Sequence, residues 1–154
     1  MMERHIGIEL QRNGRVFIKV YTMTVDGALI LDGLPLVVDS MEDARELGEK
    51  CVEALKLSNI RPLPSRNLRT NPPSAEFLEW LGLKTYAQYA RGVRRMSVDA
   101  SFHDVIELLR LTPEHNGGAR SGFTPISEHR LTIPYESPEQ LGRAVQEAMK
   151  KATR

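Results

Sequence analysis

The first 25 residues alternate between hydrophobic and polar positions, which is the pattern of half-buried β-strands. Residues 6–10 and 16–20 each carry an apolar side chain at every second position. Asn13-Gly14 separates the two runs, and Asn-Gly is a strong hairpin signal because both residues tolerate a positive φ. The short apolar segments 28–31 and 34–38 predict two further strands.

The spacing changes to that of a helix after residue 40. Ser40 is the expected N-cap, with Asp43 at the capping-box distance, and the helix is expected to end near Leu57 or Ser58. One face of this helix is apolar and contains Met41, Ala44, Leu47, Gly48, Cys51 and Leu55. The next segment, 59–73, holds four prolines and predicts an irregular connection.

The rest of the chain predicts short helices, then strands, then a long helix. Two short helices are expected within 74–93, and strands over 93–100, 104–115 and 129–135. The final helix, 137–152, begins at an N-cap serine followed by proline. Strands followed by helices, rather than strict alternation, predict an α+β fold. We expect a single layered domain of mainly antiparallel strands with amphipathic helices packed on the sheet.

Composition and charge exclude several classes of protein. A chain of 154 residues fits one domain, and its net charge of +1 does not favour bulk binding to a polyanion. No apolar run approaches the roughly 20 residues that span a membrane. The N-terminal residues lack the apolar stretch of a secretory signal. These features predict a cytoplasmic protein that does not enter a membrane.

The residues with catalytic potential are scattered. Cys51 is the only cysteine, so the chain can form neither an internal disulfide nor a cysteine cluster for zinc. His103-Asp104 could suggest an acid–base pair, but neighbouring strand residues point to opposite faces, and a surface turn is the simpler interpretation. The sequence predicts no catalytic residue, no metal site and no cofactor. We therefore expect a protein that is not an enzyme.

The glycine-rich stretch "EHNGGARSGFTPI", residues 114–126, raises the question of phosphate binding. A P-loop requires Lys-Ser or Lys-Thr after its last glycine and a helix behind it, and neither follows here. The stretch instead predicts a wide connection between antiparallel strands, in which Asn116-Gly117 supply positive φ. Phe123 is expected to pin this connection to the core.

The C-terminal half resembles a known family. The segments "NGGARSGF", "HRLTIP" and "SPEQLG" resemble the C-terminal signature of the immunity proteins of bacterial contact-dependent growth inhibition (CDI). The matching positions are Gly117, Gly118, Gly122 and Phe123, then Ser137, Glu139, Leu141 and Gly142, with Gly82, Lys84, Thr85, Arg91 and Gly92 upstream. The similarity covers about residues 75–152, and these residues are expected to form turns, caps and core.

The resemblance implies a small cytoplasmic protein that binds and blocks the C-terminal toxin domain of a cognate exoprotein. Such toxins are often nucleases, and such immunity proteins diverge where they meet their own toxin. Residues 1–73 show no match. The domain 1–154 is accordingly expected to comprise a variable β/α half at 1–58, the proline-rich connection 59–73 and a family-like half at 74–154.

Acidic residues are concentrated in the variable half. Between Asp26 and Glu53 there are eight acidic and two basic residues, a net charge of −6. The simplest interpretation is a solvated helix face. The alternative is a surface that meets the phosphate-binding cleft of a basic nuclease, which would speed association. The candidate toxin-binding residues are Asp39, Glu42, Asp43, Glu46, Glu49 and Glu53.

Two basic clusters support a second hypothesis, a small nucleic-acid-binding module. The clusters are Arg61, Arg66 and Arg69, and Arg91, Arg94 and Arg95. Aromatic residues do not alternate with these arginines as they do in base-stacking surfaces. Nucleic acid is therefore the less favoured partner.

Overall fold

The computed structural model describes residues 2–154, which form a curled sheet with helices on both faces. The strands are β1 Met2–Leu10, β2 Val16–Met23, β3 Leu29–Leu31, β4 Leu36–Val38, β5 Arg94–His103, β6 Val105–Asn116, β7 Phe123–Pro125 and β8 Leu131–Pro134. The helices are α1 Ala44–Leu57, α2 Ala75–Leu81, α3 Tyr86–Ala90, α4 Gly118–Ser121 and α5 Pro138–Lys151, with one 3₁₀ turn at Ser127–His129. No helix in this described part of the chain is long and apolar enough to cross a membrane.

The sheet is antiparallel throughout. Its order is β3-β2-β1-β5-β6-β7, with β4 also paired to β2 and β8 also paired to β6. The long ladder between β1 and β5 joins a strand before the proline-rich connection to one after it. These features confirm the predicted α+β fold.

The two long helices cover one face of the sheet. Neighbouring strand residues point to opposite faces, so Val16 and Ile18 face α1 and α5 while Phe17 faces the other side. The cluster under the long helices includes Ile6, Ile8, Met96, Val98, Leu109, Leu111, Leu47, Cys51, Leu141 and Val145. As predicted, Ser137 caps α5, its side chain accepting a hydrogen bond from the Gln140 N–H at 3.1 Å.

The two short helices and an aromatic cluster cover part of the opposite face. Phe77 of α2 and Tyr89 of α3 meet edge to face with ring centroids 4.8 Å apart, and both contact the ring of Phe17 on β2. Segment 59–73 is irregular, as predicted, apart from a bridge between Leu63 and Thr24. It carries the chain from the α1 face to the α2 face.

The structure corrects two local predictions near the start of the chain. Ser40 is not the N-cap of α1. The helix begins three residues later, and Asp43 is the N-cap, its carboxylate accepting from the Glu46 N–H at 3.1 Å. In the first hairpin only Gly14 has positive φ, at 90°. The Gly14 N–H donates to the Gln11 carbonyl at 3.0 Å, which makes a longer turn than the predicted Asn-Gly pair.

The glycine-rich connection also differs in detail. Gly117 has a φ of −84°, so the prediction of positive φ at Asn116-Gly117 is wrong; Gly118 and Gly122 adopt it instead. Gly118 is the first residue of the single turn α4, and Gly122 follows its end. Phe123 packs against the aromatic cluster, which confirms its predicted role. The connection is tied down by the Asn116 side chain, whose amide donates to the carbonyl of Ala90, the last residue of α3, and to that of Val93.

Candidate functional site

The candidate acidic residues lie on the surface around α1. All six side chains are exposed. Glu46, Glu49 and Glu53 recur at the spacing that puts them one above the other on the outer face of the helix, and we call these three the acidic ridge. Asp39 and Glu42 precede the helix, and Asp43 has a structural role as its N-cap.

Nearby basic side chains neutralise part of this ridge. Arg45 Nε lies 3.0 Å from Glu49, and Lys50 Nζ lies 3.2 Å from Glu53. Both pairs are solvent-exposed, so each contributes about 0–1 kcal/mol to stability. The remaining charge faces solvent and is available to a partner at long range.

The two basic clusters do not form one surface. Arg66 is engaged by the backbone of Asn71 and by its side chain, and Arg95 lies inside the protein in ion pairs with Glu9 and Glu114. Arg94 lies opposite Leu10 in the β1–β5 ladder, at one end of the sheet. Arg61 lies near the opposite end, beside Leu57. This arrangement does not favour the nucleic-acid hypothesis.

The structure contains a buried charge cluster that sequence reasoning missed. Glu9, Lys19, Arg95 and Glu114 come from four adjacent strands and face the same side of the sheet. Lys19 Nζ lies 2.8 Å from Glu9 Oε1, and Arg95 Nε lies 3.2 Å from Glu114 Oε1. Arg95 also pairs with the second oxygen of Glu9, which is fully buried.

Neighbouring charges and burial set the protonation of this cluster. Burial alone would raise the pKa of Glu9, but Lys19 and Arg95 outweigh it and hold that pKa below its ordinary value. Burial lowers the pKa of Lys19, and burial raises the pKa of Glu114 despite the facing Arg95. Shifted pKa values of this kind also occur at catalytic sites. Whether a substrate can reach these side chains therefore decides between a catalytic and a structural role.

Aromatic rings close the Lys19 and Glu9 end of the cluster off from solvent, while the side chains of Arg95 and Glu114 keep a small exposure. Lys19 Nζ lies 4.2 Å from the ring centroid of Phe77, 4.8 Å from that of Tyr89 and 5.1 Å from that of Tyr86. The Tyr89 hydroxyl also donates a hydrogen bond to the Glu9 carboxylate. The enclosed ammonium therefore has cation–π contacts as well as an ion pair. The arrangement stabilises the packing of α2 and α3 on the sheet.

A second polar group lies farther along the same face. His5 Nδ1 is 2.6 Å from Asp99 Oδ1, and Arg110 lies 3.3 Å from the other oxygen of Asp99. The nearby Ser58 hydroxyl is committed to the backbone of His5 and Tyr21. The pair was not predicted because its members are 94 residues apart in sequence. Within residues 2–154, no three histidine, cysteine or acidic side chains are placed as metal ligands.

The residues that carry the sequence resemblance occupy structural positions. Gly118 and Gly122 form the turns around α4, Ser137 caps α5, and Leu141 and Gly142 are buried where α5 meets α1. The family model for the CDI immunity protein matches residues 8–152. The match thus extends far into the half where the sequence motifs showed no resemblance.

Two solved structures share the fold. A protein of unknown function from Neisseria meningitidis has a TM-score of 0.76 and 16% identity, covering 98% of this chain and 96% of that one. A CdiA-CT/CdiI toxin and immunity complex from Yersinia pseudotuberculosis contains a chain with a TM-score of 0.71 and 13% identity, covering 99% and 98%. No curated protein sequence matches this chain. Because one family model accounts for nearly the whole length, the chain belongs to the CDI immunity protein family.

Proposed function

We propose that this immunity protein acts in the cytoplasm and neutralises its toxin by stoichiometric binding, without catalysis. Membership of the family makes a cognate CDI toxin domain its partner. The family match over residues 8–152 is the observation that carries the proposal. It is supported by the placement of the Lys19 ammonium, which lies against the rings of Phe77 and Tyr89 rather than in an open cleft.

The toxin is proposed to be a nuclease that meets the variable half, residues 1–58. Nucleases bind polyanions with basic clefts, and carboxylates on an inhibitor can take the place of phosphates there. The six candidate residues, Asp39, Glu42, Asp43, Glu46, Glu49 and Glu53, are all exposed around one helix. Their role would be to guide association and to favour the cognate partner over others.

The direct test is binding to the toxin domain encoded beside this gene. The purified domain is titrated with the immunity protein in a calorimeter, with a non-cognate CDI toxin domain as the control. We expect a 1:1 complex with the cognate domain and none with the control. Failure to form a complex at micromolar concentration would contradict the proposal.

A further inference from the structure

Exposed apolar side chains concentrate at one end of the sheet. Here β2 ends opposite the start of β3, β5 turns into β6, and α1 ends where Ser58 hydrogen-bonds to Tyr21. The exposed apolar residues at this end, which we call the apolar end, are Met23, Val25, Leu29, Leu34, Leu57, Ile60 and Val105. Three of them, Leu34, Leu57 and Ile60, line one cleft, whereas Met23 and Leu29 pair on the opposite face of the sheet. Exposed apolar side chains grouped like the first three commonly mark interaction sites.

Two clefts flank the last turn of α1 at this end. Leu57 and Ile60 line a cleft of about 400 Å³ together with Leu34. On the other side, Val105 lines a smaller cleft of about 190 Å³ with Tyr135. The end of α1 is thus a ridge between two depressions, a shape that can seat apolar side chains of a partner.

The backbone that presents these side chains is held firmly. Asn59 is buried with a left-handed φ of 54°. Its side chain accepts from the Met23 N–H and donates to the Glu3 carbonyl, each at 2.7 Å. Ile60 follows directly and is 65% exposed. An apolar side chain on a fixed backbone loses little conformational freedom on binding, as an anchoring contact requires.

The surrounding charge indicates which partner fits. Each cleft carries one charge of either sign, Asp32 with Arg61 and Asp104 with Lys56. The acidic ridge reaches Glu53, one helical turn before Leu57, where Lys50 Nζ lies 3.2 Å from its carboxylate, and Glu46 and Glu49 continue the ridge away from this end. A partner that covers the apolar end therefore meets carboxylates beside it. The complementary surface has apolar side chains at its centre and basic ones on the side that faces the acidic ridge.

We propose that the apolar end is the anchoring site for the toxin domain, and that Leu57 and Ile60 are its central contacts. The inference rests on the proposed function and adds to it the surface that supplies most of the affinity. An apolar centre with a charged border is the usual anatomy of a specific interface, in which a few central residues dominate the binding energy. The acidic ridge then sets the rate of association rather than the lifetime of the complex.

The test measures the dissociation constant for the cognate toxin domain with wild-type protein, the double variant Leu57→Ala/Ile60→Ala and the single variant Ile60→Ser. We expect about 30-fold weaker binding for the double variant, mostly through faster dissociation. Leu131→Ala is the matched control, because Leu131 is also about half exposed but lies on β8. Urea unfolding of each variant establishes that it is folded.

The outcomes separate the two proposals. Wild-type protein that fails to bind the toxin domain overturns both. Wild-type binding with unchanged affinity in the double and single variants overturns the anchoring site alone, as does an equal loss in Leu131→Ala. A wild-type dimer that dissociates in the double variant, seen by light scattering, also overturns it, because the occupant would then be a second copy of this chain.

Discussion

Gly48 of α1 and Gly142 of α5 lie against each other's helix at the point where the two helices cross. A Cβ atom on Gly48 would overlap the backbone carbonyl of Pro138, and one on Gly142 would overlap that of Ala44. The contact is reciprocal, since each glycine faces the first residue of the other helix. Both helices carry a Leu-Gly pair, Leu47-Gly48 and Leu141-Gly142, and the crossing explains it: each leucine packs in the core and each glycine permits the close approach.

The first prediction concerns this crossing. Gly142→Ala should lower the free energy of unfolding by about 2 kcal/mol, because the obstacle is backbone and cannot rotate away. The improved helix propensity of alanine, worth about 1 kcal/mol, opposes this loss but does not cancel it. The measurement is urea unfolding. Arg143→Ala, an exposed change on the same helix, is the control and should alter stability by less than about 0.5 kcal/mol. A Gly142→Ala protein as stable as wild type would show that the helices do not cross this closely.

The second prediction concerns the buried charge cluster. Glu9→Gln should cost about 3–5 kcal/mol of stability at neutral pH, because Lys19 and Arg95 lose their buried counter-charge. The pKa of Glu9 is lowered in the folded state. Its contribution is therefore complete above the ordinary value of 4.5 and disappears as the pH falls through the lower, folded-state pKa.

Unfolding of wild type and Glu9→Gln across this pH range measures that difference. The gap in stability between them should be largest near neutral pH and should shrink on acidification below 4.5. Glu3→Gln, an exposed carboxylate on the same strand, should cost less than about 1 kcal/mol. A gap that does not change with pH would mean that the Glu9 charge is not what stabilises the cluster.

The third prediction concerns the acidic ridge. Glu46→Lys/Glu49→Lys should slow association with the toxin domain by about tenfold at low salt and flatten the dependence of the rate on salt. Stopped-flow association kinetics measure both quantities. The control, Glu76→Lys/Glu79→Lys, changes charge equally on α2, which packs on the other face of the sheet. Association rates that fall equally in both proteins would assign the effect to net charge rather than to the ridge.

The fourth prediction concerns Cys51. Its side chain is fully buried in the core, and burial raises the pKa of the thiol to about 12. The thiolate is the reactive form, so thiol reagents should modify the native protein only as fast as it unfolds. Labelling followed by mass spectrometry, with and without urea, measures this. Rapid labelling of the folded protein would contradict the placement of Cys51 on the buried face of α1.

The sequence predicts well those strands and helix ends that depend only on residues close together in the chain. Alternation identified β1 and β2, and Ser137 followed by proline located the start of α5 to the residue. The start of α1 was placed too early because Met41 packs on the core although it precedes the helix, and so extended the apparent periodicity. A side chain can face the core without belonging to the helix that covers it.

Contacts between distant residues were beyond prediction. Glu9 and Arg95 occupy polar positions of alternating strands, which the pattern alone assigns to solvent. They become buried because α2 and α3 happen to cover that part of the face. Likewise, nothing local in the sequence indicates that the Asn59 side chain hydrogen-bonds to both Glu3 of β1 and Met23 of β2. Nor does it indicate that these bonds fix the backbone next to Ile60 at the surface.

The central claim, that this protein works by binding rather than by catalysis, is tested most directly by titrating toxin activity. A fixed amount of the cognate toxin domain is mixed with increasing immunity protein, and the remaining toxin activity is measured. Inhibition should rise linearly and reach completion at one molar equivalent, with active toxin recovered after the complex is separated in denaturant and the toxin is refolded. Complete and lasting inactivation by a small fraction of an equivalent would contradict the claim.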